Sequence, residues 1–149
     1  FKVPAITQEV YFGIATEGAG TSSAHAGFAV GDQTGFVVPS TATTYATAGL
    51  LALDGSAAIT TLQGDLTLAA GYGSLTGTLS GSGYTLGISA ASSSTGTFSG
   101  SSSLSGNGAS GTGNSSGHFY SSGATSAIAG VANGTSGTSY VAGFGGVAK

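Results

Sequence analysis

The chain has 149 residues with only two basic and five acidic side chains, so charged residues make up 5% of it, against about 25% in an average soluble domain. A net charge of −3 without a basic cluster excludes the attraction that drives binding to nucleic acid and to anionic lipid. The lack of Cys excludes disulfides, thiol catalysis and Cys-ligated metal centres. No apolar run reaches the length of a spanning helix, so we expect no transmembrane segment.

Four small residue types, Gly, Ser, Ala and Thr, supply 96 of the 149 positions. Leu, Ile, Val and Phe number 30, which is close to the level of disordered chains, but disorder also requires the high net charge that is missing here. Frequent Gly and few strong helix formers argue against helices. The composition therefore predicts a folded β protein in which extensive backbone pairing supplements a small core.

The N-terminal segment, residues 1–20, is predicted as a strand over residues 9–15 followed by a Gly-Ala-Gly turn at 18–20. Its large side chains are Val10, Tyr11, Phe12 and Ile14. This segment is either an ordinary first strand or an exposed arm. The rest of the chain, residues 21–149, is predicted as one β-barrel domain whose first strand covers residues 24–30.

Nine more short strands follow, several with large apolar residues alternating with Ser or Thr, as expected when one face of a strand is buried. They are predicted at residues 45–53, 56–62, 64–69, 74–80, 84–90, 95–99, 116–120, 126–131 and 139–144. Asp54-Gly55, Asn107-Gly108 and Asn133-Gly134 are dipeptides that favour tight hairpin turns. Residues 91–117, almost all Ser, Gly and Thr, form either a long mobile hairpin or two thin strands. The pattern predicts an all-β antiparallel barrel or sandwich.

Catalytic and metal-binding patterns are weak in this sequence. Residues 113–117 fit the G-x-S-x-G pattern around Ser115, but in a chain so rich in Gly and Ser about one such match is expected by chance. The carboxylates are spread out and form no calcium-binding loop. We therefore predict no enzyme activity and no metal site.

The C-terminal part carries an ordered set of framework residues within G-H-F-Y-S-S-G-A-T-S-A-I-A-G-V and the later F-G-G. These residues are Gly117, Phe119, Tyr120, Ala124, Gly130, Phe144, Gly145 and Gly146. The set resembles the last hairpin of the β-barrel domain in transferrin-binding protein B-like surface proteins. A-G-F-A-V-G-D resembles that family's opening barrel strand, and L-T-G-T-L-S-G resembles a pattern midway through its barrel. Ser121-Ser122 replaces the Gly-Pro pair of the family.

The resemblance implies a barrel of about eight strands filled by its own side chains, on a protein secreted by a Gram-negative bacterium or displayed on its outer-membrane surface. Relatives bind host transferrin, complement factor H or haemoglobin, and secreted haemophilins carry haem. The implied function is non-enzymatic binding of a protein partner or haem, in haem or iron-protein scavenging. His25 and His118, the two His residues, are the candidate haem ligands. Strand parity predicts that His118 points outward if Phe119 fills the barrel.

A structural role is the alternative function. A nearly uncharged surface does little to keep copies apart, and exposed strand edges pair readily with neighbours. The arm, residues 1–16 with Val10, Tyr11, Phe12 and Ile14, could add a strand to the next subunit of an extracellular fibre or matrix. The competing interpretation is that the arm pairs within its own barrel.

Overall fold

A computed structural model describes residues 1–4, 9–17 and 24–149 of the chain, and every regular element in them is a β-strand. The strands are β1 (Val10–Glu17), β2 (Ala24–Gly31), β3 (Thr43–Leu53), β4 (Ile59–Leu68), β5 (Ser74–Gly81), β6 (Tyr84–Ser92), β7 (Thr97–Gly106), β8 (Ala109–Ser122), β9 (Thr125–Gly137) and β10 (Tyr140–Ala148). The turn predicted at residues 18–20 lies outside the described residues.

Strands β3 to β10 form a closed antiparallel barrel in which each strand pairs with its neighbours in sequence and β10 pairs with β3. The predicted all-β fold with an antiparallel barrel of eight strands is therefore confirmed. The Ser- and Gly-rich stretch at residues 91–117 is not a mobile hairpin, because it contributes most of β7 and β8, which are 10 and 14 residues long. Closure leaves the barrel without a free edge.

Alternation along the strands places large apolar side chains inside the barrel and hydroxyl side chains outside. In β5, for example, Leu75 and Leu79 are buried while Thr76 and Thr78 are exposed. Removal of these side chains from water is the main favourable term for such a small core. The interior contains Tyr45, Leu51, Leu62, Leu66, Leu68, Leu75, Leu79, Leu86, Ile88, Phe98, Leu104, Phe119, Ile128, Tyr140 and Phe144.

Two of the three predicted hairpin dipeptides occupy turns. Asp54-Gly55 joins β3 to β4, and Asn107-Gly108 joins β7 to β8 with positive φ at both residues. The turn predicted at Asn133-Gly134 is wrong, because both residues lie inside β9. A Cβ at residue 134 would lie 2.7 Å from the Tyr140 ring, so this glycine makes room for an aromatic side chain and does not form a turn.

Strand β4 replaces two strands that were predicted separately at residues 56–62 and 64–69. The predicted break at Gln63 is wrong, because β4 continues through Gln63 and Gly64. A Cβ at residue 64 would collide with the backbone oxygen of Thr78 on β5. Glycine here allows close approach of two strands without ending either one.

A separate two-stranded sheet is formed by β1 and β2. The expectation that A-G-F-A-V-G-D opens the barrel is wrong, because β2 pairs with β1 and not with a barrel strand. The chain start borders the other edge of β1, where the Val3 amide donates to the Val10 carbonyl and the Phe12 amide to the Phe1 carbonyl, both at 2.8 Å. The arm therefore pairs within its own chain, but outside the barrel.

The two-stranded sheet lies against the outer wall of the barrel. A second apolar cluster fills the space between them, formed by Val3, Val10, Phe12, Tyr120, Ala127 and Ala129. Backbones come into direct contact where β1 meets β10, because a Cβ on Gly143 would collide with the backbone of Gly13. Parts of β8, β9 and β10 are consequently covered on both faces.

The segment between β2 and β3 is fastened to one end of the barrel. The Gln33 side-chain amide donates to the carbonyls of Gly96 and Phe119, at 3.1 and 3.0 Å. The Ser121 hydroxyl accepts from the Val37 amide at 2.8 Å and donates to the Val37 carbonyl at 3.0 Å. These bonds fix the connection over the end where β7 begins and β8 ends.

Candidate functional site

The barrel interior is occupied by the side chains of its own core, so candidate binding surfaces lie on the outer wall. One of them, which we call the β2 groove, runs beside β2 and has a volume of about 280 Å³. It is lined by Ala29, Thr97, Ser99, Ser116, His118 and Val131, with Phe98 and Gly117 beneath. The groove is open to solvent along its length.

His118 lies on the wall of this groove. Its neighbour Phe119 is fully buried in the barrel core and His118 is exposed, which confirms the outward orientation expected from strand parity. The His118 imidazole forms no hydrogen bond with any residue that the structure describes. Among the described residues, nothing occupies either of its ring nitrogens.

His25 is placed very differently. Its Nε2 donates to the Ser56 carbonyl at 2.6 Å, because a carbonyl can only accept. Nδ1 forms a hydrogen bond with the Thr16 hydroxyl at 2.9 Å. These bonds tie β2 to the β3–β4 turn and use both ring nitrogens, so His25 is a structural link in this structure.

The two His residues are not brought together. His25 borders a different pocket of about 290 Å³, which also contains Asp54 and Ser139. Although Ser, His and Asp meet there, the hydrogen bonds of His25 go to Thr16 and Ser56. The arrangement is thus not a catalytic triad, in which the His must bond to both the nucleophile and the carboxylate.

Ser115, the centre of the G-x-S-x-G pattern, lies in the middle of β8 and points into the barrel. Its side chain is buried and its hydroxyl donates to the Ser101 carbonyl at 3.0 Å. A buried hydroxyl that donates to a backbone carbonyl is not exposed at a strand-to-helix turn, as that motif requires. Within the described ranges, no three His, Asp or Glu side chains come together as a metal site.

Several framework residues of the C-terminal motif form one interior row across four strands. Phe98 pairs with Gly117, Gly117 with Gly130, and Gly130 with Phe144. The two rings meet over the glycines, with centroids 6.1 Å apart and planes at 30°. A Cβ on Gly130 would lie 2.7 Å from the Phe144 ring and 2.8 Å from the Phe98 ring. Sequence reasoning missed Phe98, whose ring packs against Phe119 and Phe144 of the motif.

The other framework residues serve the outer wall and the turns. Tyr120 is buried beneath the two-stranded sheet, while Gly145 leaves space for Phe12 and Val3 of the N-terminal segment. Ala124 is exposed in the β8–β9 turn, and Gly146 lies against β3. These positions support the fold and its packing. Among all the framework residues, Gly117 is the one that lines the β2 groove.

The four residues predicted for assembly lie on both faces of the two-stranded sheet. Val10 and Phe12 are buried against the barrel and Ile14 is half-buried. Tyr11 is exposed on the outer side of the sheet, where its hydroxyl is bonded to Glu9. In this conformation Val10 and Phe12 are therefore not available to a second subunit.

The edge of β2 that faces away from β1 is a feature that sequence reasoning missed. The Asp32 amide donates to the Glu9 carbonyl at 3.3 Å, which fixes the hydrogen-bonded pairs of the ladder. By this alternation, four residues of β2 direct their main-chain groups away from β1, namely His25, Gly27, Ala29 and Gly31. Strand β2 pairs with no other strand in the described part of the chain. This open edge borders the β2 groove at Ala29.

The pKa values of three tyrosines are shifted by their surroundings. Burial raises the pKa of Tyr45, Tyr120 and Tyr140. For Tyr45 a hydrogen bond to the Ser126 hydroxyl at 2.8 Å partly opposes this effect. These phenols stay neutral at physiological pH and act as packing and hydrogen-bonding groups.

Comparison with models of known protein families gives no match, and no curated protein matches the sequence. No helix in the described residues is both long and apolar enough to cross a membrane.

Proposed function

We propose that the chain is a non-enzymatic binding protein of the transferrin-binding protein B barrel type, secreted by a Gram-negative bacterium or displayed on its outer-membrane surface. In this proposal it binds haem on the outer wall, in haem or iron-protein scavenging. The observation that carries the proposal is the unpartnered imidazole of His118 in the β2 groove. A neutral imidazole is a common axial ligand of haem iron.

The surroundings of His118 support a weak, partly exposed complex. Ala29 and Val131 provide apolar contacts for a macrocycle, and Ser99 and Ser116 provide hydroxyl groups. A volume of about 280 Å³ is at the low end for small-molecule pockets, which run from about 300 to 1,000 Å³. We therefore expect His118 to hold the iron while much of the haem faces solvent or a protein partner.

Titration with haemin followed by absorption spectroscopy tests this proposal. We expect a shift of the Soret band with the wild-type protein and with His25→Ala, and loss of the shift with His118→Ala. The absence of a shift in the wild type, or its persistence in His118→Ala, would contradict the proposal. A shift lost only in His25→Ala would contradict the assignment to the β2 groove.

The open edge of β2 favours a second candidate, a structural subunit of an extracellular fibre or matrix. The N-terminal arm of a neighbouring subunit, released from its own barrel, would add to the edge as a further strand, with main-chain hydrogen bonds supplying the affinity. Ala29→Pro removes an N–H that points to the open edge and leaves the β1–β2 ladder intact. Electron microscopy should then show filaments for the wild type and none for Ala29→Pro. Dispersed wild-type monomers at high concentration would exclude this function.

A further inference from the structure

A larger groove, which we call the Phe1 groove, lies between the N-terminal segment and the outer face of β3, β4 and β10. Its volume is about 720 Å³. Phe1 and Phe12 form one wall, Gln63 and Asp65 the other, and Ala46 and Ala48 the floor between them. It shares no lining residue with the β2 groove.

The strand register explains why a trough exists here. Ala46 lies opposite Asp65 and Ala48 opposite Gln63 across the β3–β4 ladder. On the other side of β3, Ala48 lies opposite Gly145. Because cross-strand partners point to the same face, short side chains on β3 lie below the longer ones on β4.

The apolar wall presents an aromatic surface to solvent. The Phe1 ring is stacked on Phe12, with centroids 5.8 Å apart and planes at 20°. Phe12 is buried, whereas Phe1 is 67% exposed, the largest exposure among the large apolar side chains in the described residues. A ring supported on one side by a buried ring is a fixed platform for a flat apolar partner.

The polar wall offers both hydrogen-bond donors and acceptors. The Gln63 amide, which both donates and accepts, forms no hydrogen bond with other described residues. Beside it Asp65 accepts from the Lys149 ammonium at 2.7 Å, and Lys2 is paired with Glu9 at 2.9 Å at the groove's edge. The charged side chains at the groove are therefore paired with one another.

An aromatic platform facing a neutral set of mixed donors and acceptors matches the chemistry of a sugar. A pyranose ring has an apolar face made by its C–H groups and hydroxyls that donate and accept at its rim. A lipid chain would leave the Gln63 amide without water or a partner, at a cost in free energy. We propose that the Phe1 groove is a binding site for a neutral oligosaccharide, with one ring on Phe1 and its hydroxyls on Gln63 and Asp65.

Titration with cellohexaose, maltohexaose and chitohexaose, followed by NMR chemical-shift changes, tests the site. We expect at least one of them to bind, with shifts confined to the Phe1 groove. Phe1→Ala should weaken binding by about tenfold, equal to about 1.4 kcal/mol. Gln63→Ala should weaken it severalfold without touching the N-terminal segment. Phe28→Ala, which removes another exposed aromatic side chain, should leave the affinity unchanged.

Two outcomes would overturn the proposal. One is the absence of shifts with all three sugars in the wild-type protein. The other is unchanged affinity in the Phe1→Ala/Gln63→Ala double variant, with the thermal midpoint of each variant confirming that it is folded. Haemin binding at His118 is measured separately, so neither result depends on the proposed haem function.

Discussion

The hydroxyl of Tyr140 on β10 lies 2.6 Å from Oγ of Ser102 on β7, across the inside of the barrel. The Ser102 hydroxyl donates its single proton to the Asn114 carbonyl at 3.0 Å, so Tyr140 must be the donor to Ser102. This chain of two bonds links β10, β7 and β8. Because of this direction, loss of the Ser102 hydroxyl should cost more folding free energy than loss of the Tyr140 hydroxyl.

We predict that Ser102→Ala is more destabilising than Tyr140→Phe. The first leaves the Tyr140 hydroxyl buried without a partner, at a cost of about 1–3 kcal/mol. The second leaves Ser102 bonded to Asn114 and should cost about 0.5–1.5 kcal/mol. Urea unfolding of both single variants and of the double variant measures the difference. Equal destabilisation by the two single variants would contradict the inferred direction of the bonds.

Gly130→Ala should destabilise the barrel by about 1–3 kcal/mol, the usual cost of adding volume to a filled core. The added methyl group would press on both Phe98 and Phe144 and separate their stacked rings. Thermal unfolding measures the loss, and near-ultraviolet circular dichroism should show altered aromatic packing. Ser116→Ala, at an exposed position of β8, is the matched control and should change neither signal.

Loss of the His25 imidazole should loosen the two-stranded sheet more than the barrel. His25→Ala removes the bonds to Ser56 and Thr16, each worth about 1 kcal/mol. We expect faster hydrogen exchange at amides of β1 and β2, with protection of the barrel strands retained. His118→Ala, whose side chain has no hydrogen-bond partner among the described residues, should leave exchange unchanged throughout. Uniformly faster exchange in His25→Ala would show that the sheet and the barrel open together.

Stability should fall as the pH rises above about 10, the ordinary pKa of tyrosine. Burial raises the pKa of Tyr45, Tyr120 and Tyr140 in the folded state. Below this pH the phenols are neutral in both states and their stabilisation is fully present. Above it the unfolded chain releases protons that the folded chain retains, so unfolding becomes more favourable until the folded phenols also titrate.

Tyr120→Phe tests this pH dependence because it removes one shifted phenol from beneath the sheet. The thermal midpoint of this variant should fall less steeply between about pH 9 and pH 11 than that of the wild type. Tyr72→Phe, at an exposed position, should retain the wild-type slope. A parallel pH dependence of all three proteins would contradict the role of burial.

Much of the barrel follows from alternation that is visible in the sequence. Leu75 and Leu79 occupy the same face of one strand, and the position of His118 follows from that of Phe119 by parity. The Asn107-Gly108 turn follows from the positive φ that this dipeptide tolerates. Each of these features is determined by residues close together in sequence, and the period of the hydrophobic pattern shows how such residues are arranged on a strand.

The sheet outside the barrel could not be predicted in this way, because its contacts join residues far apart in sequence. A signal was nevertheless present in β9, where Ala127, Ile128 and Ala129 follow one another without a polar residue, and the structure buries residues 126–130 without alternation. A continuous buried run is typical of a strand covered on both faces. The contact of His25 with Ser56 has no corresponding pattern, since no spacing rule relates a residue of one strand to a distant turn.

Tyr120, Ala127 and Ala129 belong to a wall that faces away from the barrel interior, yet all three are buried. If β1 and β2 detach, this wall becomes an apolar patch on a protein whose net charge is only −3, with little repulsion to keep molecules apart. The two-stranded sheet thus protects the protein's solubility. Damage to it would first appear as aggregation of molecules whose barrels remain closed.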